Sequence, residues 1–254
     1  MASYNEIHHI VTEDNLKIAL HQMGGSAEAK RCLIIAPGFA QAAKSENFIL
    51  LARDLATPDR SVLCLDMRGT GNSEGRYSFG GQEHLDVLAA LKFARQRYES
   101  IDILGFSLGA YSCLRAAAET AIYADRLFLV SCPTSVEEII FKGSIFKHCM
   151  NIFKNPSKFK DDGGYIFRWG NPLSKKTNVS KKVIKADVPI HFLAGKSDLL
   201  IPPKMSKKVF HATQVDQKSW TELDEGLHAD LMYIENPSAF KTWLEEPGAN
   251  SIDI

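Results

Sequence analysis

Short apolar runs alternate with helix-forming segments along most of this chain, and that alternation leaves few folds open to it. After an edge hairpin, Ile7–Thr12 and Leu16–Met23 joined by Glu13-Asp14-Asn15, the pattern predicts a strand over Cys32–Ala36, a helix over Glu46–Leu55 and a strand over Ser61–Asp66. Helix Gln82–Tyr98, strand Ile101–Leu104, helix Ser107–Thr120 and strand Arg126–Ser131 continue it. The rhythm resumes with strand Pro189–Ala194, helix Pro203–Phe210, strand Ser219–Leu223 and helix Pro237–Trp243. Such repetition calls for a mostly parallel central sheet flanked by helices on both faces, because each parallel crossover lays a helix against the sheet. The expected fold class is α/β.

Sheets of this kind gather their chemistry at the carboxyl ends of the strands. Gly105-Phe106-Ser107-Leu108-Gly109 sits between the Ile101–Leu104 strand and the helix-forming run Ala110–Thr120, the layout of a turn that lifts a serine hydroxyl out of the sheet. Glycines suit it because strand and helix come so close that a Cβ at either flank would clash. Gly195-Lys196-Ser197-Asp198 follows the apolar run Val188–Ala194, which places Asp198 just past a strand end. Gly226-Leu227-His228 follows Ser219–Leu223 in the same way. Ile34-Ile35-Ala36-Pro37-Gly38-Phe39 runs a strand into a glycine turn, where the backbone N–H of Phe39 can join that of Leu108 in facing a developing oxyanion.

Other residues of these types are less well placed. Asp187 precedes its strand, and Asp198 has a competing role as a helix cap before Pro202-Pro203. Of the eight histidines, His8, His9 and His21 fall in the edge hairpin and His84 on a helix turn expected to be exposed. His148 lies in a long gap, His191 inside a strand and His211 at a helix end, which leaves His228 in a loop after the last strand.

At these residues the chain resembles the α/β-hydrolase superfamily, from about Ile18 to Trp243, in its serine esterase and thioesterase branches. The chain order Ser107, Asp198, His228 matches that family, and Asp66-Met67-Arg68-Gly69-Thr70-Gly71-Asn72-Ser73 is similar to its D-x-R-G-x-G-x-S turn. Pro37 stands where many members have histidine, and Ala110 where many have a second glycine. The resemblance implies Ser107 as nucleophile, His228 as base, Asp198 as its orienting acid, and Phe39 and Leu108 as the oxyanion hole. It implies hydrolysis of carboxylic esters or thioesters of small to medium acyl groups through an acyl-enzyme. Acyl transfer or thioester cleavage on coenzyme A or acyl-carrier substrates, a proline-releasing peptidase and a non-catalytic ligand-binding protein are the alternatives. Serine at the turn argues against chemistry that uses an aspartate nucleophile. Arg68 is expected to tie its loop down through backbone carbonyls, with anion binding as the other reading.

The gap from Pro133 to Lys176 breaks the rhythm, so a single domain over 1–254 is expected to carry a small helical cap over 133–176, inserted after the sixth strand. Ile139, Phe146, Met150 and Phe153 recur near helical spacing, and the last three are candidates to line an acyl pocket. Phe141, Phe159, Phe167 and Trp169 either share that role or pack the cap onto the body. Lys142 to Lys185 hold eleven basic residues against two acidic ones, a local +9 within a chain of zero formal charge, leaving −9 elsewhere. This segment is either a solvated face or a contact for an acyl carrier or an anionic membrane. A pI near 7.1 gives the whole molecule no general attraction to nucleic acid. Neither metal-ligand spacing nor a phosphate-binding glycine loop is present, so no cofactor is expected. Met1 to Asp14 lack a signal-peptide pattern, and of the five cysteines Cys32, Cys64, Cys113 and Cys132 read as core residues with free thiols, so a cytoplasmic location is expected.

Overall fold

The computed structural model describes residues 4–119, 124–140, 168–170, 179, 184–185 and 187–248. Strands β1 (Glu6–Val11) and β2 (Lys17–Met23) form the predicted hairpin. Then follow β3 (Arg31–Ala36), α1 (Glu46–Leu55), β4 (Arg60–Leu65), α2 (Glu83–Arg95), β5 (Ser100–Phe106), α3 (Leu108–Glu119) and β6 (Arg126–Val130). A short helix α4 (Val136–Ile140) precedes β7 (Ile184–Lys185), β8 (Ile190–Gly195) and α5 (Pro203–Ala212). The chain continues through β9 (Thr213–Gln214), β10 (Lys218–Leu223), α6 (Leu231–Glu235) and α7 (Pro237–Glu245). Helices α4 and α6 and the two-residue strands, paired as β7–β9, are too short to leave a periodic signature in the sequence.

The main sheet has eight strands in the order β1-β2-β4-β3-β5-β6-β8-β10. Pairing is antiparallel only around β2, and from β4 to β10 every neighbour is parallel. Period-two alternation then gives each strand two apolar faces. Leu33 and Ile35 of β3, with Leu104, Phe106 and Phe128, pack under Phe48 and Leu51 of α1 and Phe240 and Trp243 of α7. Ile34, Leu63, Ile101 and Ile103 face the other way, onto Val87 and Leu91 of α2 and Tyr111 and Leu114 of α3.

The Asp66–Ser73 turn is a structural hub. Asp66 is fully buried and accepts from the Ala43 and Asn72 backbone N–H groups and from His21 Nε2, each at 2.8 Å. It thereby ties the loop after β3 to the turn after β4. Arg68 departs from expectation. Its guanidinium forks onto Asp86 (Nη2–Oδ1 2.8 Å) and Asp14 (Nη1–Oδ2 2.8 Å) instead of backbone carbonyls. A fully buried cation needs carboxylate partners more than it needs carbonyls. The carbonyl-tying role belongs to Arg168, which donates to the backbone oxygens of Ser73 and Gly75. His84 also departs: it is buried between α2 and α3, with Nε2 3.1 Å from Glu119.

Candidate active site

Ser107 sits where β5 turns into α3, with φ of 51°. The left-handed region costs a non-glycine residue about 1–2 kcal/mol, and the strand–turn–helix geometry imposes it here. The turn is tight: a Cβ on Gly109 would collide with the carbonyl oxygens of Ala36 and Pro37, and one on Gly105 would lie 2.6 Å from the Ala110 Cα. Ser107 N–H donates to Val130 O at 2.9 Å, which locks the turn to β6.

Asp198 follows β8 and is 2% exposed. Its Oδ1 accepts from the N–H groups of Leu200 (2.9 Å) and Ile201 (2.8 Å). Its Oδ2 accepts from His228 Nδ1 at 2.8 Å and from the Ser131 hydroxyl at 2.8 Å. Four donors saturate the carboxylate, so its orientation is fixed before any ligand arrives. His228 is anchored in turn, because the next residue, Ala229, has φ of 53° and donates its N–H to Ser131 Oγ at 3.2 Å. The loops after β8 and β10 touch through Gly195 and Gly226, where a side chain on Gly195 would meet the Gly226 carbonyl. No hydrogen bond joins Ser107 to His228 among the described residues, whereas the Asp198–His228 bond is formed.

Phe39 and Leu108 occupy the loop after β3 and the first position of α3. As the first residue of a helix, Leu108 carries one of the N–H groups that lack an intrahelical acceptor. The Phe39 loop is shaped by Gln41: Gly38 N–H donates to Gln41 Oε1 at 3.1 Å, and Gln41 Nε2 donates to Asp230 Oδ1 at 3.0 Å. Asn47 Nδ2 reaches the other oxygen of Asp230 at 2.7 Å. A buried carboxylate two positions after His228 thus braces the loop that carries Phe39. The Phe39 ring lies 5.5 Å from Tyr77, 5.6 Å from Phe79 and 6.2 Å from Trp169, so an aromatic wall stands beside that loop.

Phe146, Met150 and Phe153 lie outside the described residues, as do Lys142, Lys147 and Lys154. Ile139, expected on the same helical face, is buried against Ile201, in the loop after β8, and Met205 of α5. Ser131, Gln41, Asn47 and Asp230 carry no sequence motif. For Ser131, Gln41 and Asp230 the one available signal is polarity in the loops that follow strands, and Asn47, inside α1, has none. Cys32, Cys64, Cys113 and Cys132 are buried free thiols, and burial pushes each thiol well above its ordinary range. Among the described residues no helix is long and apolar enough to cross a membrane.

The family model described as the alpha/beta hydrolase fold matches residues 31–147, which run from β3 through the Ser107 turn. Among solved structures, the Pyrococcus furiosus esterase Pf2001 superposes with a TM-score of 0.72 at 20% identity, covering 95% of this chain and 90% of that one. Alpha/beta hydrolase domain-containing protein 10 from mouse gives 0.62 at 17% identity, with 88% and 90% covered. Sheet order, strand directions and these superpositions agree: the chain is an α/β-hydrolase-fold protein. A probable aminopeptidase of Bacillus subtilis, YbaC, is 31% identical over 67 residues, which are 26% of this chain and 20% of that protein. This chain therefore matches about a fifth of that relative's length.

Proposed function

We propose that the protein is a serine hydrolase that cleaves carboxylic esters or thioesters through an acyl-enzyme. The observation that carries this reading is the 2.8 Å bond from His228 Nδ1 to a fully hydrogen-bonded Asp198, at the same end of the sheet as a serine held at positive φ. A serine hydroxyl is a poor nucleophile at neutral pH and needs an adjacent base. His228, turned by Asp198, presents Nε2 as that base and later protonates the leaving group. Closure of the Ser107–His228 contact accompanies substrate binding, as catalytic hydrogen bonds tighten in the Michaelis complex. The N–H groups of Phe39 and Leu108 stabilise the tetrahedral oxyanion, each worth about 3 kcal/mol in comparable sites. Water then attacks the acyl-Ser107 ester, with His228 as base, and the acid departs.

The aromatic wall of Phe39, Phe79 and Trp169 favours an apolar acyl group. The esterase among the structural neighbours accords with an ester substrate. The +9 charge over Lys142 to Lys185 favours a second reading, thioesters of coenzyme A or an acyl carrier. The buried free thiols fit a reducing cytoplasm.

A fluorophosphonate probe tests the assignment. We expect one covalent adduct, located at Ser107 by peptide mass spectrometry, lost in Ser107→Ala and formed much more slowly in His228→Ala. Equal labelling of wild type and His228→Ala would remove His228 as the base. Turnover of p-nitrophenyl esters and acyl-coenzyme A thioesters of graded length then separates the two substrate readings.

A further inference from the structure

At the amino-terminal ends of the strands, opposite the Ser107 site, a cavity of about 270 Å³ opens between the sheet and the end of α7. Arg31, Arg60 and Arg126 line it where β3, β4 and β6 begin, with Leu33 and Leu244 as its apolar floor. Arg126 is neutralised: its fork grips Asp102, with Nε–Oδ1 at 3.0 Å and Nη2–Oδ2 at 2.6 Å. Arg31 and Arg60 are not. They are direct cross-strand partners in the β3–β4 register. Neighbouring strands lie only about 4.8 Å apart, so like charges are forced together there at a cost in stability. Arg60 spends its Nε on the Leu55 carbonyl at 2.7 Å, and among the described residues neither arginine forms an ion pair.

The surroundings report a positive field. Burial, followed by the charge of Arg31, pushes the Arg60 guanidinium below its ordinary range. The Glu245 and Asp102 carboxylates, which also line the cavity, oppose this charge, and Asp102 is already gripped by Arg126.

We propose that this cavity is a binding site for a dianionic oxyanion, a phosphoryl group or a dicarboxylate, seated between the Arg31 and Arg60 guanidiniums. Planar guanidinium forks match such oxygens in a bidentate manner, and an anion between two unpaired cations turns a repulsive pair into an attractive triad. The site is independent of the proposed hydrolase chemistry and stands or falls without it.

Thermal unfolding and calorimetric titration of the full chain test it, with sodium phosphate, sodium malonate and sodium chloride compared at equal ionic strength. Phosphate stabilises many proteins non-specifically, so the variants decide. We expect phosphate or malonate to raise Tm beyond chloride in a saturable manner, the stronger of the two naming the headgroup. Arg31→Gln should weaken the measured Kd about tenfold or more, as loss of a charge-assisted contact does. In chloride alone its Tm should not fall, because Arg31 has no partner to lose and one like-charge neighbour to relieve. Arg60→Lys, which keeps the charge without the fork, should also weaken binding. Dianion responses no greater than chloride, or equal in wild type and Arg31→Gln, would overturn the site.

Discussion

The Ser131 hydroxyl donates to Asp198 Oδ2 at 2.8 Å, the carboxylate oxygen that also receives His228 Nδ1. The same hydroxyl oxygen accepts the N–H of Ala229, so one fully buried side chain braces both Asp198 and the loop that carries His228. Ser131 itself is held at φ of 51°, as are Ser107 and, within a few degrees, Ala40 and Ala229. Four of the six non-glycine residues with positive φ among those described therefore surround this site. Strain collected in this way is sustained only where surrounding structure over-determines it.

Ser131→Ala removes that shared brace without touching the proposed nucleophile. We expect kcat for an ester substrate to fall about tenfold, the worth of a hydrogen bond to a charged group, with KM nearly unchanged. Steady-state kinetics check it. A raised KM at unchanged kcat would assign Ser131 to substrate binding instead.

The Gly38–Gln41–Asp230 chain predicts coupling between loops far apart in sequence. Gln41→Ala and Asp230→Ala should each lower kcat, and the double variant should lose less than the two losses combined, because both break one chain of contacts. Full additivity in a double-mutant cycle would mean that Asp230 acts only through Asn47.

Acid should destabilise the fold within a definite window. His84 and His191 are each pushed down to about 4, chiefly by burial and then by the charges of Arg115 and Arg126 respectively. Between pH of about 6.5 and about 4 the unfolded chain binds more protons than the folded one. The stability that these two residues contribute above that range is therefore lost as pH falls through it. Denaturant midpoints measured from pH 7 to pH 4 should decline, and His191→Gln should flatten the decline whatever it does to stability at pH 7.

Salt separates the two substrate readings. If the lysines of 142–185 steer an anionic substrate, kcat/KM for acyl-coenzyme A thioesters should fall steeply with added salt, while neutral p-nitrophenyl esters barely respond. Changing Lys142, Lys147 and Lys154 to glutamate should reproduce high salt for the anionic substrates alone. The same response in both substrate classes would mark the lysines as a solvated surface.

Much of the frame is legible in the sequence because buried parallel strands and amphipathic helices leave strong periodic signals. The limits of α1 match the expected Glu46–Leu55, whereas α2 ends at Arg95, three residues before the expected Tyr98. The Arg97 and Tyr98 N–H groups both turn to the Ala94 carbonyl there, and that closing geometry is invisible in side-chain pattern. The strand-end positions of Ser107, Asp198 and His228 are legible for the same periodic reason. Their supports are not. Ser131 reaches Asp198 and Ala229 across 67 and 98 residues, and Asp230 reaches Gln41 across 189, and ordinary polar residues carry no mark of such distant partners. Arg68 and Arg168 illustrate the same limit: burial decides which arginine meets carboxylates and which meets carbonyls.

The stapling of residues 168–170 to the body has a consequence for how such a chain can change. Tyr77 N–H donates to Arg168 O, Arg168 N–H to Gly69 O and Gly170 N–H to Tyr77 O, and Val179 N–H reaches Thr134 O at 2.9 Å. Chain entering the insert at Thr134 and leaving it near Arg168 and Val179 is thus clamped to the scaffold at both borders. The stretch after α4, from 141 to 167, can then be lengthened, shortened or exchanged at little cost to the framework, since the cost of loop closure grows only slowly with length. If the segment from 141 to 167 covers the acyl site as expected from the sequence, swapping it between relatives should alter selectivity while leaving framework stability nearly unchanged.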